Sequence, residues 1–324
     1  MYLLIDMAEP KGHIRLNQFY IDSIGSSKCK VLCSDKLKDH YKQYDYLSFF
    51  SYNKSNKFFR LIKMLSILYL IVFKIKIKNI KKILFLSYDS IFIIPILYIL
   101  KIFKISILSI EHNTVPISKR KKFLQKIIGN NIDRLVYTNY IKNIYDNLGI
   151  ISQVVEHPIR NFLNEQNINS NQISLINQIS NNRKIVFCPS ASVNLYKYRD
   201  KINQKSKNFC FVSKRDYKSK LFCQNVYYQE YFSNYKKIME LSDFIFLPFN
   251  LEDRVSGVFF EAISLKKTII MEPDTFFYKY AIAKFPENII SIHDDWIVKD
   301  VFFKNIDLHN KTIFNNIFKL LTDK

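Results

Sequence analysis

Glycine is scarce in this chain: five occur in 324 residues, at positions 12, 25, 129, 149 and 257. A residue used so sparingly marks places where the backbone turns sharply or meets something closely. Gly12 and Gly257 both fall at expected loop-to-helix junctions. Cysteine is no commoner. The five, at 29, 33, 188, 210 and 223, are odd in number and contain no Cys-x-x-Cys pair. That argues against a disulfide framework or a zinc site and suits thiols kept reduced in the cytoplasm. No apolar run reaches the roughly 20 residues that a bilayer span requires; the runs at 65–73 and 91–100 stop well short. The opening MYLLIDMAEPKGH has neither a basic region ahead of its apolar residues nor a small-residue cleavage site, so it reads as a first strand rather than a signal peptide. Helix-turn-helix, zinc-finger and RNA-recognition patterns are missing too, so no nucleic-acid partner is expected. There is no Asp-x-Asp pair; Asp294 and Asp295 are adjacent and lie late in the chain.

What is present in excess is positive charge. The 49 Lys and Arg outnumber 28 Asp and Glu, giving a net charge of +21. Such a balance favours anionic partners, whether small molecules or membrane surface. Lysine clusters at 74–82 and 119–122 neighbour the apolar runs at 65–73 and 91–100. Two readings stay open there. The runs are buried helices of an α/β domain, or they make a peripheral contact in which apolar residues dip into the interface and lysines meet anionic headgroups.

The hydrophobic pattern alternates between short apolar runs and helical periodicity. Strands are predicted at 2–7, 30–33, 83–87, 105–110, 134–138 and 153–155, then at 184–188, 209–212, 226–228, 243–247, 268–271 and 289–291. Helices are expected in the first half up to about 23, at 58–73, after a cap at Asp89 and Ser90, at 119–128 and at 140–147. In the second half they are expected at 235–241, 256–265, 276–283 and 313–321. This alternation argues for parallel sheets with helices on both faces, an α/β class of two doubly wound, Rossmann-like domains. The Asn-, Gln- and Ser-rich stretch 161–182 suits a linker, leaving domains at 1–160 and 183–324, with the last helix free to return to the first.

The segment 250–271, NLEDRVSGVFFEAISLKKTIIM, carries the most chemistry. It reads as a strand end, an acidic loop, a helix opening at Ser256 and Gly257, and a second strand. The first-turn N–H groups of such a helix have no partner inside it, and the macrodipole adds positive potential, so the end attracts anions. Glu261 follows a little over one turn along. The arrangement suits a nucleotide-sugar, with its diphosphate on the helix end and hydroxyls on the carboxylate. An ordinary capped helix burying Val258, Phe259, Ala262 and Ile263 accounts for the same residues.

The stretch resembles the donor-site signature of family-4-like bacterial glycosyltransferases of the GT-B fold, enzymes of surface-polysaccharide biosynthesis. Asp253 and Glu261, with seven residues between them, match that family's acidic pair, and Ala262, Ile263, Lys267, Ile269 and Ile270 fall where similar residues are expected. Arg254, Ser256 and Gly257 match the Arg-x-Ser-Gly variant of the signature. Asp253 stands where Glu is usual, Lys266 where the family has Gly, and Thr268 where it has Pro.

The resemblance implies two Rossmann-like domains facing a cleft, and transfer of a sugar from a nucleotide-diphosphate donor to a hydroxyl of a lipid-linked surface glycan such as O-antigen or capsule. Retention of configuration is part of that implication. Donor-side residues would be Ser190, Lys197, Arg199, Arg254, Ser256, Gly257, Val258 and Glu261. Gly12 and His13 would lie on the acceptor side, and His112 and Glu261 would take part in catalysis. With no Asp-x-Asp motif, no metal or other cofactor is expected; helix end and basic side chains would stabilise the leaving diphosphate. The chain is expected in the cytoplasm or peripherally on the inner face of the cell membrane. The alternative is a non-catalytic protein of the same fold that binds a glycan or a partner, to which the departures at Asp253 and Lys266 lend weight.

Overall fold

The computed structural model describes residues 1–7, 14–50, 57–111, 114–159, 170–190, 195–214, 226–230, 232–252, 254–300 and 305–322. The chain divides into two compact units, one of Met1–Pro158 with His309–Lys324, the other of Ile159–Leu308.

The first unit is a seven-stranded, wholly parallel sheet. Its elements are β1 (Tyr2–Asp6), α1 (Ile14–Ile24), β2 (Cys29–Ser34), β3 (Tyr46–Phe49), α2 (Lys57–Tyr69), β4 (Lys82–Ser87), α3 (Ile93–Ile102), β5 (Ser106–Ile110), α4 (Lys119–Ile128), β6 (Asp133–Val136), α5 (Asn139–Asp146) and β7 (Ser152–Val154). The strand order is β3-β2-β1-β4-β5-β6-β7, so the winding reverses between β1 and β4, where the loops of such sheets diverge. The strands read as near-continuous apolar runs because parallel sheets are covered on both faces. Leu3, Ile5, Ile83 and Phe85 share one core with Ile67 and Ile71 of the α2 region, Ile93 and Ile96 of α3, and Ile128 of α4. α2, α3 and α4 therefore cover the same face of the sheet.

Local chemistry sets the helix ends. α2 runs on into a π turn, Leu70–Lys74, which carries the apolar run to Ile75. Asp89, expected to cap α3, instead accepts a hydrogen bond from Ile91 N at 3.0 Å; it caps the turn before the helix. α3 starts at Ile93 and keeps Pro95 in its first turn, where the missing N–H has no intrahelical partner to lose.

The second unit holds α6 (Ser170–Ser180), β8 (Lys184–Cys188), α7 (Arg199–Lys205), β9 (Phe209–Ser213), β10 (Val226–Tyr228), α8 (Tyr235–Leu241), β11 (Phe244–Phe246), α9 (Gly257–Ser264), β12 (Thr268–Met271), α10 (Phe276–Lys284) and β13 (Ile289–Ser291). Its parallel sheet has the order β10-β9-β8-β11-β12-β13. α6 lies inside the stretch whose composition suggests a linker and adds Ile176 to the core. A last helix, α11 (Ile306–Thr322), spans the unit boundary, and from His309 onward it belongs with the first unit. There Lys82 Nζ donates to Leu320 O at 2.5 Å, and His309 Nδ1 stands 3.0 Å from the Glu156 carboxylate. Among the described residues no helix is long and apolar enough to cross a membrane.

Candidate functional site

β8, β11 and β12 are neighbours in the second sheet, registered Phe244 to Val186 and Phe246 to Ile270. Because they are parallel, the loops that follow them leave from one edge. These loops carry Ser190, Lys197 and Arg199 after β8, Arg254, Ser256 and Gly257 after β11, and Glu272 after β12.

α9 is built as the sequence suggests. Ser256 is its N-cap, with φ −94° and ψ 119°, and its side-chain oxygen accepts from Phe259 N at 3.3 Å. The helix is anchored by Phe259, Phe260, Ala262 and Ile263, all buried. Phe259 meets the rings of Phe277 and Phe285 edge-on at 5.1 and 5.5 Å. Val258, expected inside, is only half-buried, and Phe260 takes that place. Gly257 is exposed, and a Cβ placed on it would meet nothing within 4 Å. The protein's own contacts therefore do not require glycine there, and the space beside its Cα is open.

At the other end, Lys266 adopts a left-handed φ of 53°. Lys266 N donates to Ile263 O and Lys267 N to Ala262 O, both at 3.0 Å, the pair of bonds that defines a Schellman ending. A lysine thus adopts the left-handed conformation that glycine takes most readily. Lys267 Nζ donates to the carbonyls of Glu240 and Ser242 at 2.5 and 2.8 Å, and burial pushes its pKa down.

Glu261 is half-buried, and its Oε2 accepts from Tyr235 Oη at 3.2 Å. Tyr235, the first residue of α8, sits on Phe187 with ring centroids 5.7 Å apart, so a core contact orients the carboxylate. Lys197 Nζ lies 3.6 Å from the Glu272 carboxylate and over the Tyr198 ring. Tyr198 Oη donates to Pro248 O at 3.1 Å and its ring meets Phe246 edge-on. Burial and then Glu272 raise the Tyr198 pKa. These contacts bring the loop after β8 to the loops after β11 and β12. Arg199 is engaged elsewhere, over the Tyr196 ring and 3.2 Å from Asp200. Arg254 is exposed two residues before the cap, and Ser190 is half-buried just past β8.

Tyr198, Tyr235 and Glu272 were not among the residues read from the sequence. Tyr198 stands between Lys197 and Arg199 in YKYRD, an aromatic flanked by bases that could have been singled out; no local pattern marks Tyr235 or Glu272.

Gly12, His13, His112 and Asp253 lie outside the described residues. The strands leading to the first three end in dense polar clusters. After β5, the buried Glu111 carboxylate accepts from Tyr88 Oη at 2.8 Å, Ser109 Oγ at 2.7 Å, Tyr145 Oη at 2.8 Å and from Thr114. The Arg134 guanidinium stands 3.9 Å away. Burial, then Glu111, raises the pKa of both phenols. At the end of β1, buried Asp6 accepts from Asn17 Nδ2 at 2.8 Å and Ser87 Oγ at 2.5 Å. His157 is buried against the Tyr137 ring.

No protein-family model matches the chain. No curated protein matches it either. Solved structures do. Anabaena Alr3699/HepE in complex with UDP and glucose is 12% identical, with 99% of this chain and 94% of that chain covered and a TM-score of 0.62. A glycosyltransferase from Rickettsia africae ESF-5 is 14% identical, with 99% and 89% covered and a TM-score of 0.62. A UDP-N-acetylglucosamine 2-epimerase named for Listeria monocytogenes is 10% identical, with 100% and 88% covered and a TM-score of 0.56. At these identities the likeness shows the fold, which is GT-B.

Proposed function

We propose that this protein is a glycosyltransferase that moves a sugar from a nucleoside-diphosphate donor to a hydroxyl of a growing, lipid-linked surface glycan. One observation carries the reading: the capped end of α9 faces open space at Gly257, with the Glu261 carboxylate held one turn further along the same helix. The likeness to an Anabaena protein whose structures hold UDP and UDP-glucose supports it.

In this reading the bond between the sugar's anomeric carbon and the diphosphate oxygen breaks as the acceptor oxygen bonds to that carbon. Charge grows on the leaving diphosphate. Backbone N–H groups of Gly257 and Val258, with Arg254 and Lys197, meet that charge, so preorganised donors do the work a cation would otherwise do. Ser190 completes the donor side, and Arg199 would join it only by leaving its contacts with Tyr196 and Asp200. Glu261 accepts hydrogen bonds from donor hydroxyls. His112 takes the acceptor proton, and Gly12 and His13 shape the acceptor side. Retention of configuration follows the family pattern. Such an acceptor would hold the enzyme at the inner face of the cell membrane.

The non-catalytic alternative draws on Lys266, but that residue keeps the left-handed ending that glycine would provide. The test is a panel of nucleotide-sugars. One donor should raise the melting temperature, because a ligand that prefers the native state stabilises it by mass action. Glu261→Ala should lower kcat/KM for that donor roughly a hundredfold, the size of a lost charged hydrogen bond. A Glu261→Ala variant that turns over at the parental rate would dispose of the donor-site assignment.

A further inference from the structure

We propose that the outer face of α2, α3 and α4 is a docking surface for an anionic lipid bilayer. The inference does not depend on sugar transfer; it stands on the distribution of charge and apolar surface in the first unit.

Charge comes first. Between residues 57 and 132 there are 15 Lys and Arg and two acidic residues, Asp89 and Glu111. Glu111 is buried in its hydroxyl cluster and contributes nothing to the surface. This segment therefore supplies 13 of the chain's 21 net positive charges. Lys74, Lys76, Lys78, Lys101, Lys104 and Lys122 are all exposed.

The apolar pattern is stranger. A helix at a domain surface presents one apolar stripe to the core and polar residues to water. α2 with its π turn presents two. Met64, Ile67, Ile71 and Ile75 face the sheet. Phe58, Leu61, Leu65, Tyr69 and Phe73, spaced by three or four residues, form a second stripe, with exposures of 62%, 43%, 53%, 51% and 69%. Single exposed apolar residues need no explanation; five in helical register do. α3 packs alongside α2 and carries Tyr98 and Ile102 at 65% and 77% exposure. α4 shares a shallow pocket with α3, lined by Leu97, Tyr98, Lys101 and Ile127, and adds Phe123 at 64% exposure. The three helices cover one face of one sheet, so their outer residues form a continuous layer.

Apolar side chains interleaved with lysines, with no acidic residue on α2, α3 or α4, match one environment closely: acyl chains below a layer of phosphate headgroups. A protein partner's core would take the aromatics but would leave many lysines desolvated. A second copy of this face would bring like charges together. A soluble polyanion would take the lysines and leave the aromatics in water.

The full-length protein is centrifuged with vesicles of phosphatidylcholine alone or of phosphatidylcholine mixed with phosphatidylglycerol. Binding to the mixed vesicles and not to the neutral ones is expected. Each lysine near an anionic surface contributes enough that Lys101→Gln, Lys104→Gln and Lys122→Gln together should weaken binding on the order of a hundredfold. The control triple Lys207→Gln, Lys279→Gln and Lys311→Gln removes the same charge from exposed positions elsewhere and should change little. Phe73→Ser, Ile102→Ser and Phe123→Ser together should weaken binding at least about tenfold. All substituted positions are exposed, so melting temperatures serve as the check on folding. The proposal is overturned if wild type ignores the anionic vesicles, if the control triple loses as much as the first, or if the apolar triple binds as before, which would mean attraction to any polyanion. Concentration-dependent dimerisation that the apolar triple abolishes, without vesicle binding, would assign the face to a second copy instead.

Discussion

At the scale of single residues, Gly257 separates a stability role from a ligand role. Its surroundings leave room for a methyl group, and its backbone is not in the left-handed region. Alanine is the better helix former by up to about 1 kcal/mol. Gly257→Ala should therefore melt at or slightly above the wild-type temperature while losing the stabilisation that the best nucleotide-sugar confers; retained ligand stabilisation would mean that nothing approaches this backbone closely. Cys29 and Cys33 make a second prediction. Burial, then Asp22 and Asp45, pushes the Cys29 thiol up to about 11, and burial, then Asp6 and Asp35, pushes Cys33 up to about 12. The folded state thus prefers the protonated thiols. Their contribution is whole below about pH 9, the unfolded value, and is lost as pH rises toward the folded values. Urea melts of wild type should show stability falling above about pH 9, and Cys29→Ala with Cys33→Ala should flatten that fall.

At the scale of elements, the ending of α9 breaks a local rule openly, as Lys76 and Lys104 also do in the first unit. A lysine in a left-handed conformation costs about 1–2 kcal/mol relative to glycine, partly offset by glycine's greater freedom when unfolded. Lys266→Gly should raise stability by about 0.5–1 kcal/mol in denaturant melts, with no change in donor stabilisation. The same helix shows what the sequence could and could not reveal. Its cap, buried stripe and following strand were legible because Ser256, the apolar spacing and TIIM are local signals. So were α4, β8, β10, α8, β12 and β13, whose observed and expected bounds coincide. β3 was missed because YLSF is four residues on a half-covered edge strand. α6 and α7 were missed because their sequences, SNQISLINQIS and RDKINQK, are mostly polar and become helical through a few core contacts, Ile176 and Ile202 among them. The candidate site divides likewise. Ser256, Gly257 and Glu261 share one helix and could be read together. The pairing of Lys197 with Glu272, and of Glu261 with Tyr235, joins distant segments and depends on the strand order, which no local pattern encodes.

At the scale of the whole molecule, charge and topology do different work. The excess of lysine falls mostly on one stretch of the first unit, while the candidate donor residues lie on the second. α11 crosses between units in sequence and buries Ile313, Ile317 and Leu321, the part beyond His309 counting with the first unit. Each such side chain contributes about 1.5–3 kcal/mol on burial. Removing 309–324 should lower the stability of the first unit by several kcal/mol in calorimetry, and an unchanged unfolding profile would show that the helix is merely attached.

That helix also bears on synthesis. A ribosome releases the strands of the first unit early, yet the residues from His309 onward that count with that unit emerge only after some 150 residues of the second unit, Ile159–Leu308. Nascent chains commonly fold domain by domain from the amino end; in this one the first unit cannot be completed until the second has been made, and any chaperone that greets it must hold on at least that long.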